Sequence, residues 1–341
     1  MGNSTLDYEG WSQEEIQAQR DLYHYEKLDA AIWADVKMYA APLGLLMNGI
    51  FLFVAIRVKS MHTTVNIYLG NLAAADSLVL TLGLALLVRE DLNLSVMKAT
   101  NFICLIASYC FITALAFERY FAVCKPLYFR ATSSKARTVK VSVALWMIAA
   151  AGGTAWYFSP KFANATQTSA NVNNLLLVVL YLTLLSINAT LYTSIIKKLR
   201  RQQRLISSTA RQRAGRVALM LLFNTAVFFS FNATSIAEGI YIVVINFSNM
   251  PKMQIIKALE SWTDVHLAAS ILQLINSSIN PLVYSWTNKS YRAAFVKAFP
   301  CFNLLSKCYR GSRDATRGKI WQIELHALSQ RGYRIGGSQG N

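Results

Sequence analysis

Long stretches of this chain contain no Asp, Glu, Lys or Arg: 38–56, 99–117, 141–160, 217–237 and 265–287. A further stretch, 63–88, has Asp76 as its one charge, and 162–196 holds a polar loop followed by an apolar run from near Asn173. At ~1.5 Å per residue, each is long enough to cross the ~30 Å of hydrocarbon in a bilayer. The chain is 54% hydrophobic and 15% charged, against ~25% charged in soluble domains. The expected fold is an all-α membrane protein, a seven-transmembrane helix bundle with a short amphipathic helix after the last span. This divides the chain into an N-terminal segment 1–36, a spanning domain 37–288, a membrane-parallel helix 289–300 and a basic tail 301–341.

The formal net charge of +17 raises the question of a nucleic-acid partner, and its distribution answers against one. The first 35 residues are acidic, with Asp7, Glu9, Glu14, Glu15, Asp21, Glu26, Asp29 and Asp35. Basic residues fill alternate connections: Arg57 and Lys59, then Lys125 to Lys140, then 197–216 with eight basic residues and no acidic one. That alternation is what membrane topology requires, and it predicts an extracellular N-terminus and a cytoplasmic C-terminus at the plasma membrane. No cleavable signal peptide is visible, so the first span is expected to direct insertion. Sequons at Asn3, Asn164 and Asn246 lie on the predicted outer side, whereas those at Asn188 and Asn232 fall inside spans. None of the five cysteines is in an outer loop, so an extracellular disulfide is not expected. Cys301 and Cys308 follow an amphipathic stretch, where palmitoylation is expected.

The last apolar stretch contains "INSSINPLVYSW", which sets Asn276, Asn280 and Pro281 inside a span. Buried amides and an interior proline are costly in a membrane unless they have partners. Counted from the cytoplasmic boundaries at ~1.5 Å per residue, Asn48 and Asn280 lie about 12 Å deep, Asp76 and Ser108 about 16 Å, and Asn276 about 18 Å. Five polar side chains on four spans therefore share one layer. Asn276, Asn280 and Tyr284 recur every four residues and lie along one helix side.

These residues sit in motifs that resemble a rhodopsin-like (class A) G-protein-coupled receptor over about residues 36–305. "GLLMNG" carries Asn48, "NLAAAD" carries Asp76, and "FERYFAVCKPL" resembles the D/E-R-Y end of the third span and the loop after it. Trp146 suits the fourth-span tryptophan, Tyr192 the fifth-span tyrosine, and "NSSINPLVY" is an intact NPxxY. The resemblance implies an allosteric sodium ion held by Asp76 and Ser108 with Asn276, Ser277 and Asn280, beside Asn48. It implies a cytoplasmic switch of Glu118, Arg119, Tyr120, Tyr192, Asn280, Pro281 and Tyr284, with Leu127 and the basic connections meeting a heterotrimeric G protein.

Several family features are missing. The third-span cysteine falls at Leu94, Leu184 replaces the fifth-span proline, and "FNAT" replaces the CWxP of span 6, with Asn232 and Thr234 at its tryptophan and proline. Ala214, between Arg213 and Arg216, stands where an acidic residue would lock Arg119. Either raised basal signalling or weak coupling follows from these losses. The amine-binding aspartate becomes Asn101 and the retinal-binding lysine Leu274, which argues against biogenic amines and opsin chemistry. Candidate ligand-facing residues are Asn101, Glu238, His266, Ser270 and Gln273, with Leu176 and Leu180 from span 5. The acidic N-terminus suits a basic peptide, while the apolar upper span 5 and lost disulfide resemble lipid-binding and melanocortin-like branches. A peptide ligand is favoured over a lipid.

Other classes are weaker. An ion-coupled transporter would show internal repeats and paired broken helices, and no repeat is seen. No nucleophile triad, metal-spaced cluster or phosphate-binding glycine loop points to an enzyme. A receptor-like protein with absent coupling remains as an alternative, opposed by the intact ERY and NPxxY.

Overall fold

In a computed structural model, residues 10–88, 94–162, 166–203, 209–248, 250–287 and 289–299 are described, and they are almost wholly helical. The helices are α1 (Gln13–Arg57), α2 (Thr64–Val88), α3 (Leu94–Cys124), α4 (Pro126–Thr132), α5 (Lys135–Phe162), α6 (Thr166–Gln203), α7 (Thr209–Phe247), α8 (Lys252–Glu260), α9 (Thr263–Thr287) and α10 (Lys289–Ala298). Six of them, α1, α2, α3, α5, α6 and α7, are long and apolar enough to cross a membrane. The seventh span is α9. Its 25 residues reach about 37 Å at 1.5 Å per residue, and its hydropathy is lowered by the Asn and Ser side chains singled out above.

The bundle exposes large apolar side chains and, within an apolar interior, buries a set of polar ones. Leu43, Leu46, Val143, Met147, Leu175 and Leu182 are exposed, whereas Asn48, Asp76, Asn188, Asn224, Asn276 and Asn280 are buried. Apolar side chains facing hydrocarbon, with polar ones turned to the bundle axis, are the arrangement a bilayer selects. The chain runs round the bundle so that α1 packs on α2 and α9, and α9 on α7, while α3 occupies the middle against α2, α5, α6 and α7. Close approach of α3 and α5 depends on Gly153, where an added Cβ would meet the Ile103 side chain and lie 3.2 Å from the Ala99 carbonyl.

Several boundaries differ from the sequence expectation. The first span is expected from residue 38, yet α1 begins at Gln13 and runs 45 residues, about 68 Å at 1.5 Å per residue. Its start is fixed by a capping box in which Ser12 Oγ accepts from the Glu15 amide at 3.2 Å and the Ser12 amide donates to Glu15 Oε2 at 2.8 Å. The loop expected over about 159–174 is helical up to Phe162 and again from Thr166. The basic third inner connection is likewise occupied by the ends of α6 and α7. Neither the charged end of α6 nor the charged start of α7 contains a proline to stop the helix. The described residues 290–299 belong to a second unit. Within it, the amphipathic helix expected over 289–300 is α10, with Tyr291, Ala294 and Ala298 buried on one face.

Candidate ligand and transduction sites

The mid-bundle layer is assembled from α1, α2, α3 and α9. Asn48, Asp76, Ser108, Asn276, Ser277 and Asn280 are all buried. Pro281 has no N–H, so the carbonyl four residues earlier, that of Ser277, loses its helical donor. Asn48 Nδ2 supplies one at 2.9 Å and also donates to its own helix at Gly44, 3.0 Å away. The Asp76 carboxylate accepts from Asn280 Nδ2 at 2.7 Å. Two carbonyl oxygens, Asn48 Oδ1 and Asn276 Oδ1, are buried without a hydrogen-bond partner. One carboxylate with surplus amide and hydroxyl oxygens is a donor set suited to a small hard cation. The residues present therefore fit the sodium ion that the motif resemblance implies.

Towards the inner ends, Glu118 and Tyr192 are buried. Glu118 Oε1 and Arg119 Nε lack hydrogen-bond partners. Tyr192 Oη lies 3.1 Å from Thr225 Oγ1 of α7, which joins α6 to α7, and the Tyr284 ring packs on Phe51 at 5.4 Å. Tyr120 is half-buried beside Phe121. Leu127 on α4 is 82% exposed, a degree that suits a contact with another protein and not a core position. Where the fifth-span proline is missing, Asn188 Nδ2 donates to the Leu184 carbonyl at 2.8 Å and to Thr113 Oγ1 of α3 at 2.9 Å. The 39-residue α7 contains no proline, and Asn232, buried at the place of the usual tryptophan, donates to the Phe228 carbonyl.

At the outer end, a cavity of about 390 Å³ opens between the N-terminal half of α1, the end of α7 and the start of α9. Glu238, His266 and Ser270 line it, with Glu238 Oε1 accepting from His266 Nδ1 at 2.5 Å. Asn101 and Gln273 are not among its lining residues. Leu176 is 61% exposed and is not among the lining residues of this cavity. Sequence reasoning missed Glu26, Asp29, Trp33, Tyr241 and Trp262, which complete the walls. The first three lie on one helix face (i, i+3, i+7), a signal available once the Ser12–Glu15 box marks a helix.

Of the modification sites, Asn3, Asn164, Cys301 and Cys308 lie outside the described residues. The Asn246 amide donates to Asn171 Oδ1 at 2.7 Å. Cys104, Cys110 and Cys124 are free thiols.

Seven membrane-crossing helices, a buried acidic layer tied to a proline-bearing last span and an open cavity at one end define a heptahelical membrane receptor. The family model for "7 transmembrane receptor (rhodopsin family)" matches residues 47–284, and the chain belongs to that family of G-protein-coupled receptors. It is similar to melanocortin receptor 5 of Bos taurus, 26% identical over 297 residues that cover 80% of this chain and 86% of that protein. Growth hormone secretagogue receptor type 1 of Oryctolagus cuniculus is 26% identical over 286 residues, 75% of this chain and 77% of that receptor. Neuromedin-U receptor 1 of Rattus norvegicus is 25% identical over 296 residues, 74% of this chain and 69% of its own.

Proposed function

We propose that the chain is a plasma-membrane receptor, N-terminus outside, that converts the binding of an extracellular peptide into activation of a heterotrimeric G protein. The observation that carries the signalling half is the Asn280–Asp76 bond. It couples span 7 to span 2 in a buried layer, between the outer cavity and Arg119 and Tyr284 at the inner end. A ligand acts on such a layer only through a difference in affinity between two arrangements of it. A sodium ion bound by Asp76, Ser108 and the Asn276 carbonyl would favour the arrangement that holds it.

The inner-end roles follow the motif resemblance: Arg119 faces the G protein once α7 moves, Tyr192 exchanges its Thr225 partner, and exposed Leu127 completes the contact. The missing proline in α7 and the missing acid opposite Arg119 leave fewer restraints on the resting state, which favours appreciable basal signalling over silent coupling. Peptide is favoured over lipid because the chain is similar over about three quarters of its length to receptors named for melanocortin, growth hormone secretagogue and neuromedin-U. Glycosylation at Asn3, Asn164 and Asn246 and acylation at Cys301 and Cys308 complete the proposal.

The test is a panel of G-protein biosensors in cells expressing the full chain, exposed to peptide and lipid libraries. A peptide that activates at least one G protein supports the reading; activation by lipids alone overturns its ligand half.

A further inference from the structure

We infer that the outer cavity is a cage for an organic cation, the guanidinium or ammonium group of a basic ligand, built from Glu26, Asp29 and Glu238 with Trp33, Tyr241 and Trp262. This deepens the peptide-receptor reading and rests on it. The argument begins with charge. Three carboxylates face a space of about 390 Å³, and the one basic group among its lining residues is His266, bonded to Glu238. Even with that imidazole protonated, the lining keeps an excess of negative charge. An enclosed volume of this size holds a side-chain-sized ligand group. Low-dielectric walls strengthen attraction for a cation that enters.

Two further observations point to an occupant. Asp29 Oδ2 is buried and has no hydrogen-bond partner, a costly condition that a donor from a ligand would relieve. Three of the other lining residues are aromatic, and Tyr241 and Trp262 stack with centroids 3.9 Å apart and planes 19° from parallel. Their rigid faces complement a flat or alkylated cation by cation–π attraction, while the carboxylates pair with its N–H groups. The Tyr241 hydroxyl is turned to the Ala258 carbonyl at 3.1 Å, which holds that wall in place. At one of these walls the chain already uses the same chemistry internally: Lys37 Nζ sits 4.7 Å from the Trp33 ring centroid, which leaves Tyr241 and Trp262 as the faces offered to a ligand.

The cage also gives the long α1 a purpose. Glu26, Asp29 and Trp33 all lie N-terminal to the expected start of the span. Without the helical extension from Gln13, the cavity would lose one wall and two of its three carboxylates.

The experiment titrates the purified full chain with Nα-acetylargininamide and, in parallel, with its uncharged isostere Nα-acetylcitrullinamide, called argininamide and citrullinamide below. Intrinsic tryptophan fluorescence and thermal unfolding are both read. Argininamide should give a saturable response in at least one readout, and citrullinamide should bind at least about tenfold more weakly. Asp29→Asn and Glu26→Gln should each weaken argininamide by about tenfold, as should Glu238→Gln if it folds without its His266 bond. The assignment is overturned if neither readout saturates, if the two amides respond alike, or if Asp29→Asn and Glu26→Gln both bind like the parent. The two readings fail separately. A peptide without basic groups that activates parent and Asp29→Asn chains with equal potency removes the cage and leaves the peptide receptor. Activation by lipids alone, with argininamide still bound and sensitive to Asp29→Asn, removes the peptide receptor and supports the cage.

Discussion

The Asn48 side chain donates at 2.9 Å to the Ser277 carbonyl, the backbone oxygen that Pro281 deprives of its helical partner. One side chain of the first span thus repairs the break in the last, and the repair lies beside the Asp76–Asn280 bond. Asn48→Ala should cost about 1–3 kcal/mol, since it leaves a buried carbonyl unpaired. Pro281→Ala restores an N–H to that carbonyl, so the Asn48→Ala penalty should shrink in its presence. A double-mutant cycle on thermal unfolding in detergent measures the coupling; strict additivity would mean that the two residues do not share the Ser277 oxygen.

Replacing sodium by potassium at constant ionic strength should lower the melting temperature of the parent chain and leave Asp76→Asn unmoved. At tenfold excess over its dissociation constant, a bound ion contributes about 1.4 kcal/mol. Equal salt responses in the two proteins would remove the ion from the account.

Gly153 lets α5 approach α3, and Gly153→Ala should destabilise by about 1–3 kcal/mol because the new methyl group meets Ile103 and the Ala99 carbonyl. Gly49 is the control: an added Cβ there meets nothing within 4 Å, so Gly49→Ala should be neutral or slightly stabilising through helix propensity. Melting curves of the two variants decide it, and similar losses at both sites would show that the α3–α5 approach is not the cause.

The bond between Tyr192 and Thr225 joins α6 to α7 at their buried faces. Thr225→Val should loosen that tie and raise ligand-independent G-protein activation by several-fold, whereas the exposed Thr190→Val, on the helix of Tyr192 and bonded to its own backbone, should not. Basal biosensor signal at matched surface expression reads the difference, and indistinguishable variants would exclude the tie as a restraint.

Much of this molecule could be read directly from residue order. Charge-free blocks locate the membrane helices because hydrocarbon admits little else, and the four-residue spacing of Asn276, Asn280 and Tyr284 points one polar stripe at Asp76. The partners inside that layer were less legible. That Asn48 serves a carbonyl, and not Asp76, depends on backbone geometry that only the packed helices define. The outer cavity was half visible. Glu238, His266 and Ser270 lie beside apolar runs and attract notice, whereas Glu26, Asp29 and Trp33 belong to a segment whose polarity hides its helical period. The losses in spans 5 and 6 were plain from the sequence, but not the Asn188–Thr113 bond from span 5 to span 3 or the Tyr192–Thr225 bond from span 5 to span 6, which bridge separate helices.

The central claim is that this bundle passes a signal to a G protein through Arg119. The most direct measurement reconstitutes the full chain in bilayers with a panel of purified heterotrimers and follows nucleotide exchange, beside an Arg119→Ala chain of matched amount and thermal stability. The account predicts accelerated exchange on at least one heterotrimer even without ligand, reduced about tenfold or more by Arg119→Ala. Equal rates for the two chains, or no acceleration on any heterotrimer with or without the activating peptide, would contradict it.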